Sequence, residues 1–246
     1  MIHVILLAAG YSSRFGSNKL LHIVDGTPMY RHALETAEQF RQLYCCEPVR
    51  LIFVTAYDDI GKQLREKDGF CLFGAAKAGN TAGRDLVVMN PNSGLGISHS
   101  IALGVKAAGA DRFREDDSLM FMVCDQPWLT PGDLLNLAAC FKRSGKSIGC
   151  MAYGEQTGNP VLFSAVYREE LLGLRGDTGG KAIVSPSIYG ILISVRTTSG
   201  SFCSIFSRAS LPFSASPITS NPASAQSILF IILFLTSSSS STSIIL

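Results

Sequence analysis

Runs of largely apolar residues recur along the first two thirds of the chain. They lie at residues 4–7, 49–55, 86–89 and 119–123, and a further strand is predicted at 147–153. Because apolar residues follow one another in these runs instead of alternating with polar ones, each run predicts a strand buried on both faces. Such strands are typical of a parallel sheet that is covered by helices on both sides.

Polar, amphipathic segments separate these predicted strands. Helices are predicted at 28–37, where Pro28 lies in the first turn, at 58–67, and at 130–143, where Thr130 precedes Pro131 as an N-cap. A further helix is predicted from Ser164 to about residue 173, and a hairpin is predicted within 21–27. Residues 70–85 are predicted to be irregular, with room for one short strand. We therefore expect an α/β fold with a mostly parallel sheet.

Length, charge and cysteine content narrow the class of protein. With 246 residues the chain has room for one domain, or for one domain with an appendage. A net charge of +2 argues against a nucleic-acid surface. The seven cysteines include no C-x-x-C pair, which is typical of reduced thiols in a cytosolic protein. No Lys or Arg precedes the short first apolar run, which favours a strand over a signal peptide.

The character of the chain changes after Lys181. Only Arg196 and Arg208 are charged between residues 182 and 246, and serine dominates the composition. The apolar run at 228–235 is far shorter than the ~20 residues that span a bilayer. We therefore divide the chain into a domain at 1–184 and a tail at 185–246. Three interpretations of the tail compete: disorder, membrane association, and translation out of frame, which we favour.

A glycine-bearing loop follows the first predicted strand. Gly10 and Gly16 bracket two serines and Arg14, and Lys19 comes shortly afterwards. Backbone N–H groups of a loop at the carboxyl end of a first parallel strand can face a phosphate. The spacing fits neither the dinucleotide motif G-x-G-x-x-G nor the P-loop. An ordinary strand-to-helix loop with surface cations is the alternative interpretation.

Two later segments carry further candidate chemistry. Gly96, Ser100 and Gly104 are four residues apart and would form a ridge of small residues on a helix, which by itself indicates close packing. Asp125 follows the most apolar strand, so its carboxylate lies at the rim of the sheet, where α/β proteins bind ligands. Carboxylate oxygens suit Mg²⁺. A turn-forming or capping role before Pro127 is the alternative for Asp125.

Five ordered segments resemble the MobA-like nucleotidyltransferases, and within that family the molybdenum cofactor cytidylyltransferases. Residues 6–21 are similar to the signature L-A-[AG]-G-x-S-x-R-[FM]-G-x-x-K-L. The other four matches are N-P-x-x-x-x-G-x-x-x-S-x-x-x-G at 90–104, C-D-x-P-x-L at 124–129, G-[NH]-P-[VI]-L-[FV] at 158–163 and G-D-x-G-[AG]-[RK] at 176–181. The resemblance implies a Rossmann-like, three-layer α/β/α fold of the nucleotide-diphospho-sugar-transferase type.

The resemblance also implies roles for individual residues. Arg14 and Lys19 would stabilise the departing pyrophosphate, and Asp125 would bind Mg²⁺. The acceptor would contact Gly158, Asn159, Asp177 and Lys181, although Asp177 also suits a helix N-cap. The nucleotide would contact Leu7, Ala8, Ala9, Gly10, Ser13, Lys19, Asn90, Gly96 and Ser100.

The reaction that the resemblance implies is transfer of CMP from CTP to molybdopterin carrying molybdenum, with release of pyrophosphate. The choice of CTP depends on Leu7-Ala8-Ala9-Gly10, where guanylyltransferases of the family tend to have L-A-G-G, and on Asp125-Gln126-Pro127. A sibling enzyme that uses GTP or another phosphorylated acceptor is the first alternative. A non-catalytic, degenerate copy or a chaperone-like partner of a molybdoenzyme is the second.

One block of the family is missing from the chain. Family members continue with a D-[IV]-[DN]-T-P-[ED] block, and no such block follows residue 181. Its absence is the reason for favouring an altered reading frame from about Ser185. Because this block is missing, the sequence does not establish whether the chain is catalytically active.

Overall fold

The computed structural model describes residues 1–10, 18–74, 83–110, 113–153, 156–180, 183, 195–196 and 202–206. All of these residues lie in the first of the two units into which the chain divides, Met1–Ala209. The helices are α1 (Met29–Leu43), α2 (Asp58–Lys67), α3 (Ile97–Ala108), α4 (Pro131–Ser144) and α5 (Arg168–Gly173). The strands are β1 (Ile2–Ala8), β2 (Ile23–Val24), β3 (Thr27–Pro28), β4 (Val49–Thr55), β5 (Cys71–Leu72), β6 (Leu86–Met89), β7 (Ser118–Val123), β8 (Ile148–Tyr153), β9 (Gln156–Ser164), β10 (Val195–Arg196) and β11 (Phe202–Phe206).

One large sheet organises the described part of the chain. Its strand order is β10-β11-β8-β9-β7-β1-β4-β6-β5, and β2 pairs with β3 in a separate hairpin. The five strands from β7 to β5 are parallel to one another. Strands β9 and β11 are antiparallel to the strands beside them. The predicted α/β class with a mostly parallel sheet is confirmed.

Helices cover both faces of this sheet. Side chains of α1, α2 and α4 pack on one face with Ile2, Val4 and Leu6 of β1. Side chains of α3 and α5 pack on the other face with Ile5. Strand β1 is therefore buried from both sides, which is why its apolar residues are consecutive. The result is the three-layer α/β/α arrangement that was expected.

Most predicted elements are present, and several have the predicted bounds. Strands β4 and β6 and helix α2 occupy the predicted residues. The hairpin β2–β3 and the capping box at Thr130 are also found, and in the latter the Asp133 carboxylate accepts from the Thr130 backbone N–H. The described part of residues 70–85 contains one short strand, β5. None of the helices in the described ranges is long and apolar enough to cross a membrane.

Two strands fall within the predicted tail. Strand β11 pairs antiparallel with β8, and β10 pairs with β11, so residues 195–196 and 202–206 extend the main sheet. A segment paired in a sheet differs from the disordered tail that was one of the three interpretations. The remaining tail residues lie outside the described ranges. The division of the chain at residue 184 stays a prediction.

Gly104 of α3 provides a test of how closely this helix packs on the sheet. A Cβ at Gly104 would lie 2.5 Å from Cγ2 of Ile5 and 3.4 Å from Cγ2 of Val54. We expect Gly104→Ala to lower the free energy of unfolding by about 1–3 kcal/mol, because a fully buried side chain must shift. Gly173→Ala in α5 is the matched control, because nothing lies within 4 Å of its added Cβ. That control should be neutral or stabilising by up to about 1 kcal/mol, and denaturant unfolding measures both variants.

His3 of β1 provides a test of how stability depends on pH. Its ring is buried, with Nε2 3.6 Å from Oδ2 of Asp117. Burial lowers the pKa of His3, and the Asp117 charge opposes this only in part, while Arg50 and the terminal ammonium add to the lowering. The unfolded chain therefore binds a proton below about pH 6.5 before the folded chain does, so stability falls as the pH drops through this region.

We expect the free energy of unfolding to decrease between about pH 7 and pH 5, by at most about 1.4 kcal/mol per pH unit for this one proton. His3→Gln should flatten that decrease, whereas His22→Gln, at an exposed position, should keep it. Equal slopes in the wild type and His3→Gln would contradict the assignment.

Candidate functional site

The candidate site lies where strands β1 and β7 end. From β1 the sheet continues through β4 and β6 on one side and through β7 on the other, so the strand order reverses at this pair. Ligands of open α/β sheets bind at such a switch point, outside the carboxyl ends of the strands. The two strand ends are tied together, because the backbone N–H of Cys124 donates to the carbonyl of Leu7 (3.2 Å).

A cavity of about 600 Å³ opens at this switch point. Its volume lies within the usual range for small-molecule sites. It brings together nine of the predicted site residues, which are Leu7, Ala8, Ala9, Gly10, Lys19, Gly96, Ser100, Asp125 and Asp177. The remaining lining residues are Leu20, Ser93, Gly94, Ile97, Val123 and Cys124, which sequence reasoning did not single out although they flank predicted ones.

Two side-chain hydrogen bonds fix the backbone at the end of β1, where the glycine-bearing loop begins. The Thr55 hydroxyl donates to the Ala8 carbonyl (3.3 Å), and the Tyr57 hydroxyl donates to the Gly10 carbonyl (2.9 Å). Thr55 is the last residue of the neighbouring strand β4 and Tyr57 follows it closely, so the backbone at the end of β1 is held by that strand. Ser13 and Arg14 lie outside the described residues, and their predicted roles stay predictions.

Lys19 and Asp125 form an ion pair across the cavity. Nζ of Lys19 lies 3.1 Å from Oδ2 of Asp125, and the two side chains are 37% and 45% exposed. Lys19 begins a 3₁₀ turn that Asn18 caps by accepting from the Leu20 N–H (3.0 Å). An ion pair this exposed contributes little to folding stability, at most about 1 kcal/mol. Both charges are therefore available to a ligand.

The carboxylates of the cavity suit a divalent cation. Asp125 and Asp177 both line it. Among the residues that the structure describes, no group of three or more His, Cys, Asp and Glu side chains is arranged to hold a metal ion. Mg²⁺ does not need such a cage, because it binds through one or two carboxylates together with substrate phosphates. The donor set therefore fits Mg²⁺ bound with a nucleotide.

Asn90 has a supporting position in the described geometry. Its fully buried side chain donates from Nδ2 to Oγ of Ser100 (2.9 Å), and its Oδ1 accepts from Nδ1 of His99 (2.9 Å). Asn90 does not line the cavity, whereas Ser100 does. Because the Ser100 oxygen accepts from Asn90, the Ser100 proton is left to donate to a ligand. Direct contact between Asn90 and the nucleotide stays a prediction.

Gly96 allows the 176–177 turn to reach the cavity. Its φ is +93°, and an added Cβ would lie 2.3 Å from the backbone C and O of Gly176. The Ser98 N–H donates to the Gly176 carbonyl (3.2 Å) across this close approach. The contact brings Asp177 to the cavity, although it follows Gly96 by some 80 positions in the printed sequence. Residues 181 and 182 lie outside the described ranges, so the predicted role of Lys181 stays untested.

Gly158 and Asn159 lie at the same edge of the sheet without lining the cavity. They belong to β9, which is antiparallel to β7 and places Val161 opposite Phe121. Their position is therefore toward the end at which Asp125 lies. Their predicted contact with an acceptor stays a prediction.

Cys124 is the one thiol among the described lining residues. It is buried, and burial together with the neighbouring Asp125 charge raises the pKa of the thiol. The thiol is therefore neutral near pH 7 and a poor nucleophile.

Comparison with known proteins places this geometry in a family. The model of the MobA-like NTP transferase domain matches residues 4–190. The bifunctional protein GlmU of Idiomarina loihiensis is 24% identical over 177 residues, which is 71% of this chain but only 32% of GlmU. The chain thus spans about a third of the length of that relative.

Two solved structures share the fold. A homolog of Mycobacterium tuberculosis Rv0371c from Mycobacterium sp. strain JC1 has a TM-score of 0.54 and 22% identity, covering 77% of this chain and 82% of that chain. Rv0371c of M. tuberculosis H37Rv in complex with manganese has a TM-score of 0.50 and 22% identity, covering 74% and 81%. At this identity the likeness establishes the fold, while the matched family model covers more than half of the chain. The chain therefore belongs to the MobA-like NTP transferase family, and it is an enzyme of the nucleotidyltransferase class.

Proposed function

We propose that this protein transfers CMP from CTP to molybdopterin in a Mg²⁺-dependent reaction that releases pyrophosphate. The observation that carries the proposal is the exposed Lys19–Asp125 pair in a nucleotide-sized cavity at the switch point of the sheet. A carboxylate for a metal and a cation for phosphate are the two charges that nucleotidyl transfer requires at one place. The motifs that resemble the molybdenum cofactor cytidylyltransferases support the choice of substrates.

The chemistry needs positioning and charge rather than a protein nucleophile. An oxygen of the acceptor phosphate forms a bond with the α-phosphorus of CTP, the bond from that phosphorus to the α,β-bridging oxygen breaks, and pyrophosphate leaves. Asp125 would hold Mg²⁺, which would supply positive charge at the phosphate oxygens. The manganese complex of Rv0371c supports a divalent metal in this fold.

The charged and polar side chains at the cavity are proposed to have different roles in the reaction. Asp125 would hold the metal, Lys19 would bond the phosphates, and Arg14 in the same loop would share the charge of the departing pyrophosphate. Ser100, held by Asn90, donates its proton to the nucleotide. Gly158, Asn159, Asp177 and Lys181 are proposed to contact the acceptor.

The preference for CTP is proposed from the small residues at the end of β1. Ala8 and Ala9 line the cavity, and the resemblance associates Ala9 at this position with cytidylyltransferases. The site of the reaction is proposed to be the cytosol, which is supported by the reduced state of the six cysteines whose side chains are described.

A turnover assay tests the proposal. The full chain is incubated with Mg²⁺, molybdopterin and either CTP or GTP, and pyrophosphate release is measured. We expect release with CTP and molybdopterin together, and a clear preference for CTP in kcat/KM. A preference for GTP would favour a sibling enzyme, and nucleotide binding without release would favour a non-catalytic copy.

Substitution of the charged pair tests the proposed roles. Asp125→Asn and Lys19→Met should each lower kcat by about 10²–10³, the usual cost of removing one group that stabilises transition-state charge. Asp59→Asn and Lys62→Met on the exposed side of α2 are the matched controls and should behave like the wild type. Unchanged turnover in Asp125→Asn would remove this carboxylate from the site.

Stability measurements separate lost chemistry from lost folding. Asp125→Ala should change the free energy of unfolding by less than about 1 kcal/mol, because its ion pair is exposed. Asp133→Ala should cost about 1–2 kcal/mol, because that buried carboxylate accepts from the Thr130 N–H in the capping box of α4. A large destabilisation by Asp125→Ala would show that Asp125 supports the fold instead of the reaction.

A further inference from the structure

Trp128 is a large aromatic side chain left in solvent beside the candidate site. It is the only tryptophan of the chain, it is 72% exposed, and it follows Asp125 by three residues. Three residues of chain span at most about 11 Å. The backbone that carries the indole is therefore close to the carboxylate that we assign to the metal.

Other exposed apolar residues lie close along the chain to residues that line the cavity. Among the residues that the structure describes, seven large hydrophobic side chains are exposed. Five of them line the cavity or lie within three residues of a lining residue, namely Leu21, Ile23, Leu95, Ile97 and Trp128. Exposed apolar side chains are thus concentrated in the segments of the chain that build the cavity.

The turn under Trp128 is fixed although its indole is not covered. The Leu129 N–H donates to the Gln126 carbonyl (3.3 Å), and the Thr36 hydroxyl of α1 donates to the Leu129 carbonyl (2.9 Å). The capping box at Thr130 starts α4 directly afterwards. A flat ring on a fixed backbone stacks on a planar ligand at little cost in conformational entropy.

The turn that carries Trp128 belongs to a different face of the sheet from Gly96 and Ser100, two of the residues proposed to hold the nucleotide. The turn leads from β7 into α4, which packs on one face of the sheet. Gly96 precedes α3 and Ser100 lies in its first turn, and α3 packs on the opposite face. Trp128 does not itself line the cavity, but the turn that carries it continues directly from residues 123–125 at the end of β7, which do.

We propose that Trp128 stacks on the planar ring system of the acceptor and so determines acceptor specificity. This inference rests on the proposed function. The acceptor phosphate must reach the Asp125 end of the cavity to attack the α-phosphorus, so the rest of the acceptor extends outward past the turn. A planar heteroaromatic ring there would cover the indole. A sugar phosphate, which has no planar ring, would cover it less well.

Steady-state kinetics give the first test. Trp128→Ala should raise the KM for molybdopterin about tenfold or more, the size of effect seen when a stacking aromatic side chain is removed. The KM for CTP and kcat should stay near the wild-type values, and Trp128→Phe should lie between. Val166→Ala is the matched control, because Val166 is similarly exposed but follows Ser164, which pairs with Ser118 at the end of β7 away from Asp125.

Fluorescence gives a second test that needs no turnover. Because Trp128 is the only tryptophan, indole-selective excitation reports this position alone. Molybdopterin should quench the emission saturably, whereas inorganic phosphate, which lacks a ring, and CTP should not. Free N-acetyltryptophanamide measures and corrects for light absorbed by the added ligand.

The outcomes distinguish this inference from the proposed function. Turnover with an unchanged molybdopterin KM in Trp128→Ala and no saturable quenching overturns the role of Trp128 and leaves the transferase intact. Quenching by CTP instead places the indole at the nucleotide and also overturns it. If the wild type has no turnover, the proposed function fails, and the quenching titration alone then decides whether Trp128 binds a ring.

Discussion

The burial of strand β1 on both faces is the constraint on which the rest of the structure depends. Val4, Ile5 and Leu6 are fully inaccessible, with β4 and β7 paired on either side. A strand enclosed in this way presents no side chain to solvent over residues 4–6. The cavity begins only at the carboxyl end of β1, where Leu7 and Ala8 line it together with Ala9 and Gly10. The same constraint applies to β7, whose end delivers Asp125 beside Lys19.

A second constraint is the close approach of α3 to the sheet and to the 176–177 turn. Gly104 sits against Ile5, and Gly96 sits against the backbone of Gly176, with no space for a side chain at either position. The small residues that sequence suggests as a packing ridge therefore make two different contacts. One sets the depth of the helix on the sheet, and the other brings Asp177 to the cavity. Packing and site formation are consequences of the same glycine spacing.

Much of the fold was predictable because buried parallel strands have continuous apolar sequences, and the helices and loops between them are polar or amphipathic. Strand β6 and helix α2 have the predicted bounds for this reason. The meeting of Lys19 and Asp125, 106 residues apart, was predictable because parallel strand ends share one edge of a sheet. The direction of the Asn90 side chain was not predictable, because the sequence does not show whether a polar group at a strand end faces a ligand or a neighbouring side chain. Nor does composition alone reveal that residues 202–206, in a charge-poor segment, pair with β8.

The polar groups at the switch point divide into two kinds, and the division explains how a site can be both fixed and reactive. Asn90 is buried and bonded to Ser100 and His99, so releasing it would leave unpaired polar groups in a dry environment. Lys19 and Asp125 are exposed enough that water or phosphate replaces either partner at little cost. The first kind holds geometry, and the second exchanges partners. The proposed reaction needs both kinds, because Lys19 and Asp125 would have to separate when the triphosphate arrives while Ser100, held by Asn90, would stay in place.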